Sequence, residues 1–323
     1  MKNVLRIGMK SKINFSYLVF LSVVAALGGF LFGYDAAVIS GTITLVTTQF
    51  QLDQFQIGWF VGCALIGSII GVLLTGKVSD KWGRKVTMMF AAIFFSISGI
   101  GCMFVDDFEQ LVFVRMLGGI GIGIVSVVSP LYISEVSISS YRGRLVSLYQ
   151  LAVTLGFLGA YLVNFQLLHF SQKGIILDVD WMNKIVITEV WRGMLGFSSV
   201  PSILFLIIVF FIPESPRWLI LKGYDLSART ILQKIYISKQ ESEKQLCMIK
   251  TFINSKTKSD WKFLLQPKIF KAVLIGVSIA ILGQFMGVNA VLYYGPSIFE
   301  VAGISGGDAL FSQVLVGIVN AVT

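Results

Sequence analysis

Residues 15–39 read Phe-Ser-Tyr-Leu-Val-Phe-Leu-Ser-Val-Val-Ala-Ala-Leu-Gly-Gly-Phe-Leu-Phe-Gly-Tyr-Asp-Ala-Ala-Val-Ile, with Asp35 as the single charged side chain. A helix needs about 20 mostly apolar residues to cross a bilayer, and this run is long enough. It is too long for the apolar core of a signal peptide and lacks a small-residue cleavage site, so it is expected to stay in the mature protein. Similar runs recur at 57–76, 86–105, 111–133, 145–168, 190–212, 269–294 and 309–322. The expected architecture is an all-α membrane protein of about eight spans, the last reaching the end of the chain.

Composition agrees. Hydrophobic residues make up 55% of the chain and charged residues 13%, whereas a soluble domain carries about a quarter charged. The net charge of +9 does not point to nucleic acid, because the basic residues sit between apolar runs rather than along one face. Cys63, Cys102 and Cys247 lie too far apart for a metal or disulfide spacing, and His169 reads as an ordinary loop histidine. No cofactor or metal is expected, and the chain is not read as an enzyme.

Basic residues in loops set orientation. Lys2, Arg6, Lys10 and Lys12 precede span 1, Lys77, Lys81, Arg84 and Lys85 follow span 2, and Arg142 and Arg144 follow span 4. Lysines recur from Lys222 to Lys268 after span 6. The loop after span 1 has no Lys or Arg, and the one after span 3 holds Asp106, Asp107 and Glu109. The N-terminus and the even-numbered loops are therefore expected in the cytoplasm of a cell that carries the protein in its plasma or inner membrane.

Pro213 and Pro216 stop span 6. Residues 214–266 that follow are polar with helical spacing of Leu226, Ile231, Ile235 and Ile237. They read as short amphipathic helices on the cytoplasmic side, or as a plain linker. The expected organisation is a six-helix half (1–213), the linker (214–266) and the start of a second half (267–323). At one constant offset, Gly29, Gly33, Asp35 and Ala36 align with Gly283, Gly287, Asn289 and Ala290. That fits parallel halves in which span 7 repeats span 1, with the second half incomplete.

An acid within a span costs about 2.5–3.5 kcal/mol to insert. Asp35 is therefore either a carboxylate reaching the outer interface or a buried titratable group. Arg115 opens span 4 at comparable depth. If the two pair, a proton that neutralises the acid frees the arginine. The amides Gln150, Asn164, Gln284, Asn289 and Asn320 can donate and accept, which suits sugar hydroxyls, but equally suits helix–helix bonding. Gly118, Gly119, Gly121 and Gly123 follow no strand, so they read as close helix packing rather than a dinucleotide loop.

The chain resembles the sugar porters of the major facilitator superfamily, from about residue 15 to the last. The resemblance rests on Gly33-Tyr34-Asp35, on Asp80-Lys-Trp-Gly83-Arg84-Lys85, and on Arg115 with the glycines after it. It rests further on Ser134-Glu135 with Arg142-Gly143-Arg144, on Pro213-Glu214-Ser215-Pro216-Arg217-Trp218, and on Gln284-Phe-Met-Gly287-Val-Asn289-Ala-Val-Leu-Tyr293-Tyr294. It implies a helical bundle with a sugar pocket between two halves that opens alternately to each side. It also implies that Gln150, Gln284, Asn289 and Asn320 bind a hexose or pentose, that Phe32 forms an aromatic wall, and that Asp35 with Arg115 couples a proton. Arg84, Glu135, Arg142, Arg144, Glu214 and Arg217 match a cytoplasmic charge network that steadies the outward-open state.

The family usually has a glutamine where this chain has Gly283, and the chain stops inside span 8. The leading expectation is a proton–sugar symporter. A non-transporting sugar sensor and an inactive remnant are the alternatives. A further expectation is that this chain does not transport by itself, because spans 7 and 8 have too few partners and leave Gln284 and Asn289 unpaired.

Overall fold

The computed structural model describes residues 13–173, 178–255 and 266–322. Helix α1 (Phe15–Val38) runs through a 3-10 turn at Ile39–Gly41 into α2 (Ile43–Phe50). Four long helices follow: α3 (Gln54–Trp82), α4 (Arg84–Phe104), α5 (Phe108–Val136) and α6 (Arg142–Ser171). A short α7 (Asp180–Asn183) leads to α8 (Val190–Gly196) and α9 (Ser199–Phe211). Next come three linker helices, α10 (Pro216–Leu221), α11 (Asp225–Ile235) and α12 (Lys239–Ser255). The chain closes with α13 (Pro267–Phe285), α14 (Val288–Val301) and α15 (Gly306–Val322).

Among the described residues, seven helical stretches are long and apolar enough to cross a membrane, and Gly306–Val322 is a shorter apolar helix. The eight expected runs fall mainly on helix, with two corrections: span 6 is divided at Phe197 and Ser198 between α8 and α9, and span 7 is divided as well. Span 7 is not one continuous helix, because Gly287 adopts φ +72° and separates α13 from α14. That left-handed conformation ends a helix and is cheap only for glycine.

Local signals start the helices where the chain supplies them. Asp53 accepts the N–H of Gln56 and the Gln56 side chain accepts from Asp53 N–H, a capping box that opens α3. Ser215 caps α10 with Pro216 in its first turn.

Small residues decide which helices touch. A Cβ on Gly67 or Gly71 of α3 would collide with the carbonyls of Met116 and Ile120, and one on Gly119 or Gly123 of α5 with those of Ala64 and Ser68. Gly33 of α1 and Gly156 of α6 lie likewise against Val153 and Phe30 backbone. Such bare backbones gain dispersion contacts that larger side chains would prevent. Gly119→Ala should therefore lower stability by roughly 1–3 kcal/mol, the usual cost of overpacking, although alanine favours helix by about 1 kcal/mol. Gly58→Ala, where nothing lies within 4 Å of the added methyl, should be neutral or stabilising. Thermal unfolding in detergent checks both. Equal melting temperatures for the two variants would contradict this account of the α3–α5 contact.

Two apolar clusters fill the six-helix bundle. One, with Tyr34, Phe60, Phe157 and Trp191, lies toward α2. The other, with Leu18, Met88, Phe95, Tyr132 and Phe205, lies toward the linker. Large apolar side chains such as Phe55, Leu73, Phe210 and Phe211 point outward, which fits lipid rather than water. A third cluster holds the linker helices together through Leu219, Ile220, Ala228, Ile231, Leu232 and Ile235. Of the four apolar positions expected on the amphipathic face, Ile231 and Ile235 are buried, whereas Leu226 and Ile237 are exposed. The buried stripe is 228, 231, 232 and 235, with helical i, i+3, i+4, i+7 spacing, and 226 and 237 fall off it. Asn14 N–H also donates to the Ile235 carbonyl (2.9 Å), which ties the linker to the start of α1.

Candidate functional site

One cavity of about 790 Å³ opens between the six-helix bundle and α13–α15. Its wall includes Phe32 and Asp35 from α1, Arg115 from α5 and Gln150 from α6. Gln284 from α13, Asn289 from α14 and Asn320 from α15 complete it. Seven side chains scattered over most of the chain thus converge on one space, because the glycine contacts draw α1, α5 and α6 together and the break at Gly287 turns Asn289 toward Gln284.

Asp35 is 6% exposed and Arg115 3% exposed. Asp35 therefore belongs to the bundle interior and not to an outer interface. The two are not in contact, however. Among the described residues no ion pair within 4.0 Å joins them, which corrects the expected direct pair. Arg115 lies with its guanidinium 5.5 Å from the Phe60 ring centre, and its Nε has no hydrogen-bond partner. The guanidinium also meets the Cys63 thiol, and its charge still acts on the Asp35 carboxylate across the gap.

Two amide expectations also change. Gln284 and Asn289 are not left unpaired, since Asn289 Nδ2 donates to Gln284 Oε1 at 3.0 Å. Asn164 lies outside the cavity and donates to the Val38 carbonyl (3.1 Å), a helix–helix bond that ties α6 to α1. Ser126, Thr154 and Tyr293 line the cavity as well. Ser126 and Thr154 also donate to carbonyls of their own helices, so in the sequence they are indistinguishable from ordinary helix hydroxyls. Tyr293 stands in the same motif as Asn289.

At the linker end, Arg84 clamps Glu135 with two hydrogen bonds, from Nε at 2.9 Å and from Nη2 at 3.0 Å. Glu214 accepts the backbone N–H of Arg84 (2.9 Å), of Lys85 and of Ser215 (2.8 Å), and so caps α4. Burial pushes the Glu214 carboxyl up, and these N–H bonds oppose that shift. Gly83, at φ +96°, leaves the space that the carboxylate fills. The expected six-membered network is smaller than its members suggest. Among the described residues no ion pair involves Arg142, Arg144 or Arg217. Arg142 and Arg217 line a separate pocket beside the linker helices, and Arg144 is exposed.

A charge cluster at the opposite end was not legible as a unit. Arg192 pairs with Glu189 and also donates to the Val105 carbonyl, and it reaches Asp106 at 3.4 Å. Lys184 bonds Asp106 at 3.2 Å. The signal was an arginine three residues after a glutamate at the mouth of span 6. Its partner in the loop after span 3 is set by folding alone.

Seven long apolar helical stretches with apolar side chains facing outward, around a cavity of mixed polar and apolar lining, define a polytopic helical membrane protein. The chain belongs to the sugar porters of the major facilitator superfamily. The family described as "Sugar (and other) transporter" matches residues 21–323. The D-xylose-proton symporter of Escherichia coli (strain K12) is 35% identical over 97% of this chain and 66% of its own length. The arabinose-proton symporter of Bacillus subtilis (strain 168) is 34% identical over 96% of this chain and 64% of its own. The structure of the proton:xylose symporter XylE bound to 6-bromo-6-deoxy-D-glucose superposes with TM-score 0.82 at 36% identity, covering 96% of this chain and 68% of that one. The chain thus spans slightly under two thirds of the length of these curated relatives.

Proposed function

We propose that this protein carries a monosaccharide, a pentose or hexose, across the cell membrane together with a proton. The observation that carries the reading is the single cavity in which Phe32, Gln150, Gln284, Asn289 and Asn320 face Asp35 and Arg115. Amides donate and accept in matched pairs, as sugar hydroxyls do, and an aromatic face covers the apolar side of a sugar ring. The cavity lies between residues 13–213 and 267–322, so a rocking motion of one against the other opens it to alternate sides. Relatives named for xylose, arabinose and galactose symport with protons support the substrate class. None of those names supports the sensor alternative.

In this reading residues 1–213 and 267–323 belong to two transmembrane halves, and 214–266 lies in the cytoplasm with the N-terminus. The support is the lysine-rich linker and the acidic loop after span 3. The Arg84–Glu135 clamp and the Glu214 cap steady one state of the carrier at its cytoplasmic end, with Arg142, Arg144 and Arg217 close by.

The amides give the direct test. A hydrogen bond between neutral groups contributes about 0.5–1.5 kcal/mol net. Gln150→Ala, Gln284→Ala, Asn289→Ala and Asn320→Ala should each weaken sugar binding by roughly threefold to tenfold. Equilibrium binding of radiolabelled xylose, arabinose, galactose and glucose to purified protein measures this and ranks the sugars. Unchanged affinity in all four folded variants, for every sugar, would refute the site.

A further inference from the structure

A second cavity, of about 340 Å³, lies between the linker helices and the ends of α5 and α6. It is separate from the sugar-class cavity and shares no lining residue with it. Arg142 and Arg217 line it from opposite elements, the first turn of α6 and the first turn of α10. Neither lies within 4.0 Å of a described carboxylate. Arg217 instead sits 5.2 Å from the Phe252 ring centre. The one carboxylate in the lining is Glu135, and both its oxygens are taken by the Arg84 fork. The nearby acids of the linker are engaged as well. Glu243 pairs with Arg229 (2.7 Å), Asp225 with Lys250 (2.6 Å), and Glu241 accepts from Gln245.

Two guanidiniums therefore face a pocket whose one lining carboxylate is already paired, with the charge of Glu241 beyond Tyr236 outside its lining. The lining adds neutral donors. Ser137 is 7% exposed, and its hydroxyl has no hydrogen-bond partner. A buried hydroxyl left unmatched costs free energy that a ligand oxygen would recover. Tyr236 also lines the pocket and is buried. Burial is the main cause that pushes its phenol up to about 12, so it remains a donor at neutral pH. Arg142 opens α6, whose first turn has no side-chain cap, and the helix dipole there also favours an anion.

We propose that this pocket binds a phosphate-bearing anion at the linker end of the bundle, held by Arg142 and Arg217 with Ser137 and Tyr236 as neutral donors. Guanidinium forks match phosphate oxygens in planar pairs. The occupant bridges α10 to α6 and so fastens the linker helices against the six-helix half. Transport is not assumed here, so failure of the sugar reading leaves this site untouched. The phosphate has two chemical sources, a soluble phosphate monoester or the headgroup of an anionic lipid.

The experiment measures thermal unfolding of the purified chain in phosphatidylcholine nanodiscs. Glucose 6-phosphate is titrated against potassium chloride of equal ionic strength, and phosphatidylglycerol nanodiscs are measured in parallel. A saturable rise in melting temperature with glucose 6-phosphate identifies a soluble monoester. A rise only in phosphatidylglycerol identifies a headgroup. In either case Arg142→Gln and Arg217→Gln should each weaken the response by roughly tenfold, as loss of a charge-assisted pair implies. Ser137→Ala should weaken it less, and Arg229→Gln, at the separate Glu243 pair, should leave it intact. The variants' own melting temperatures without ligand show whether they fold. Absence of any rise beyond chloride in both arms overturns the proposal. So does a rise that survives in both arginine variants.

Discussion

Under the proposed proton-coupled sugar transport, Asp35→Asn should abolish uphill sugar accumulation while sugar exchange across the membrane persists. Asp35 is the only charged residue in 15–39. It is buried, and it lines the cavity with no hydrogen-bond or ion-pair partner among the described residues. Closing the cavity over a carboxylate that has no direct hydrogen-bond or ion-pair partner costs free energy, which the Arg115 charge nearby offsets only in part. A proton removes that cost, so closure and protonation are linked through one side chain. Asparagine mimics the protonated acid permanently. A carrier working as proposed should then cycle with sugar alone, uncoupled from the proton gradient. Uptake is measured in cells whose sole sugar route is a full-length carrier containing this sequence, with and without an uncoupler, beside counterflow in vesicles. Accumulation that persists in Asp35→Asn and still collapses with the uncoupler would remove Asp35 from the coupling role. Arg115→Gln should impair both activities, because the neighbouring guanidinium is part of the same wall.

Glu135→Ala should destabilise the protein by about 3–5 kcal/mol, the usual cost of leaving a buried charge without its partner. The side chains of Arg84 and Glu135 are 6% and 3% exposed. Once Glu135 is gone, Arg84 keeps the Ser79 carbonyl at 3.1 Å and the exposed Asp80 at 3.6 Å, too little to replace a bidentate carboxylate. The double change Arg84→Met with Glu135→Leu should recover most of the loss, since an apolar pair of similar volume often matches a buried ion pair. Unfolding by denaturant in detergent tests the cycle. A Glu135→Ala variant within about 0.5 kcal/mol of the parent, the range of an ordinary surface change, would show that the clamp adds nothing to stability.

Much of this protein is legible from residue order because lipid is a demanding solvent. Every backbone polar group inside it must be satisfied within its own segment, so a long apolar run has one outcome, and the expected runs fall on helix. The glycines at 118–123 are legible for a related reason, since a helix face without side chains invites another helix. The membrane class and the position of the long apolar helices follow from local composition and periodicity. Phe32, Asp35, Arg115, Gln150, Gln284, Asn289 and Asn320 follow as cavity candidates from the resemblance to the sugar porters and from polar residues in spans.

Tertiary structure alone decides which polar groups meet. Asp35 and Arg115 stand at comparable depth and act on each other through their charges, yet no direct ion pair within 4.0 Å joins them among the described residues, and the guanidinium lies beside the Phe60 ring. Gln150 and Asn164 look alike along α6, yet one faces the cavity and the other bonds the Val38 carbonyl. Gln284 and Asn289 bond each other because Gly287 breaks their helix. Arg84 takes Glu135, and Arg142 and Arg217 are left to line a pocket of their own. The apolar pattern is a sum over many side chains, so it survives the loss of any one. A polar contact depends on the position of a few atoms to within an ångström, and only the packed helices set that.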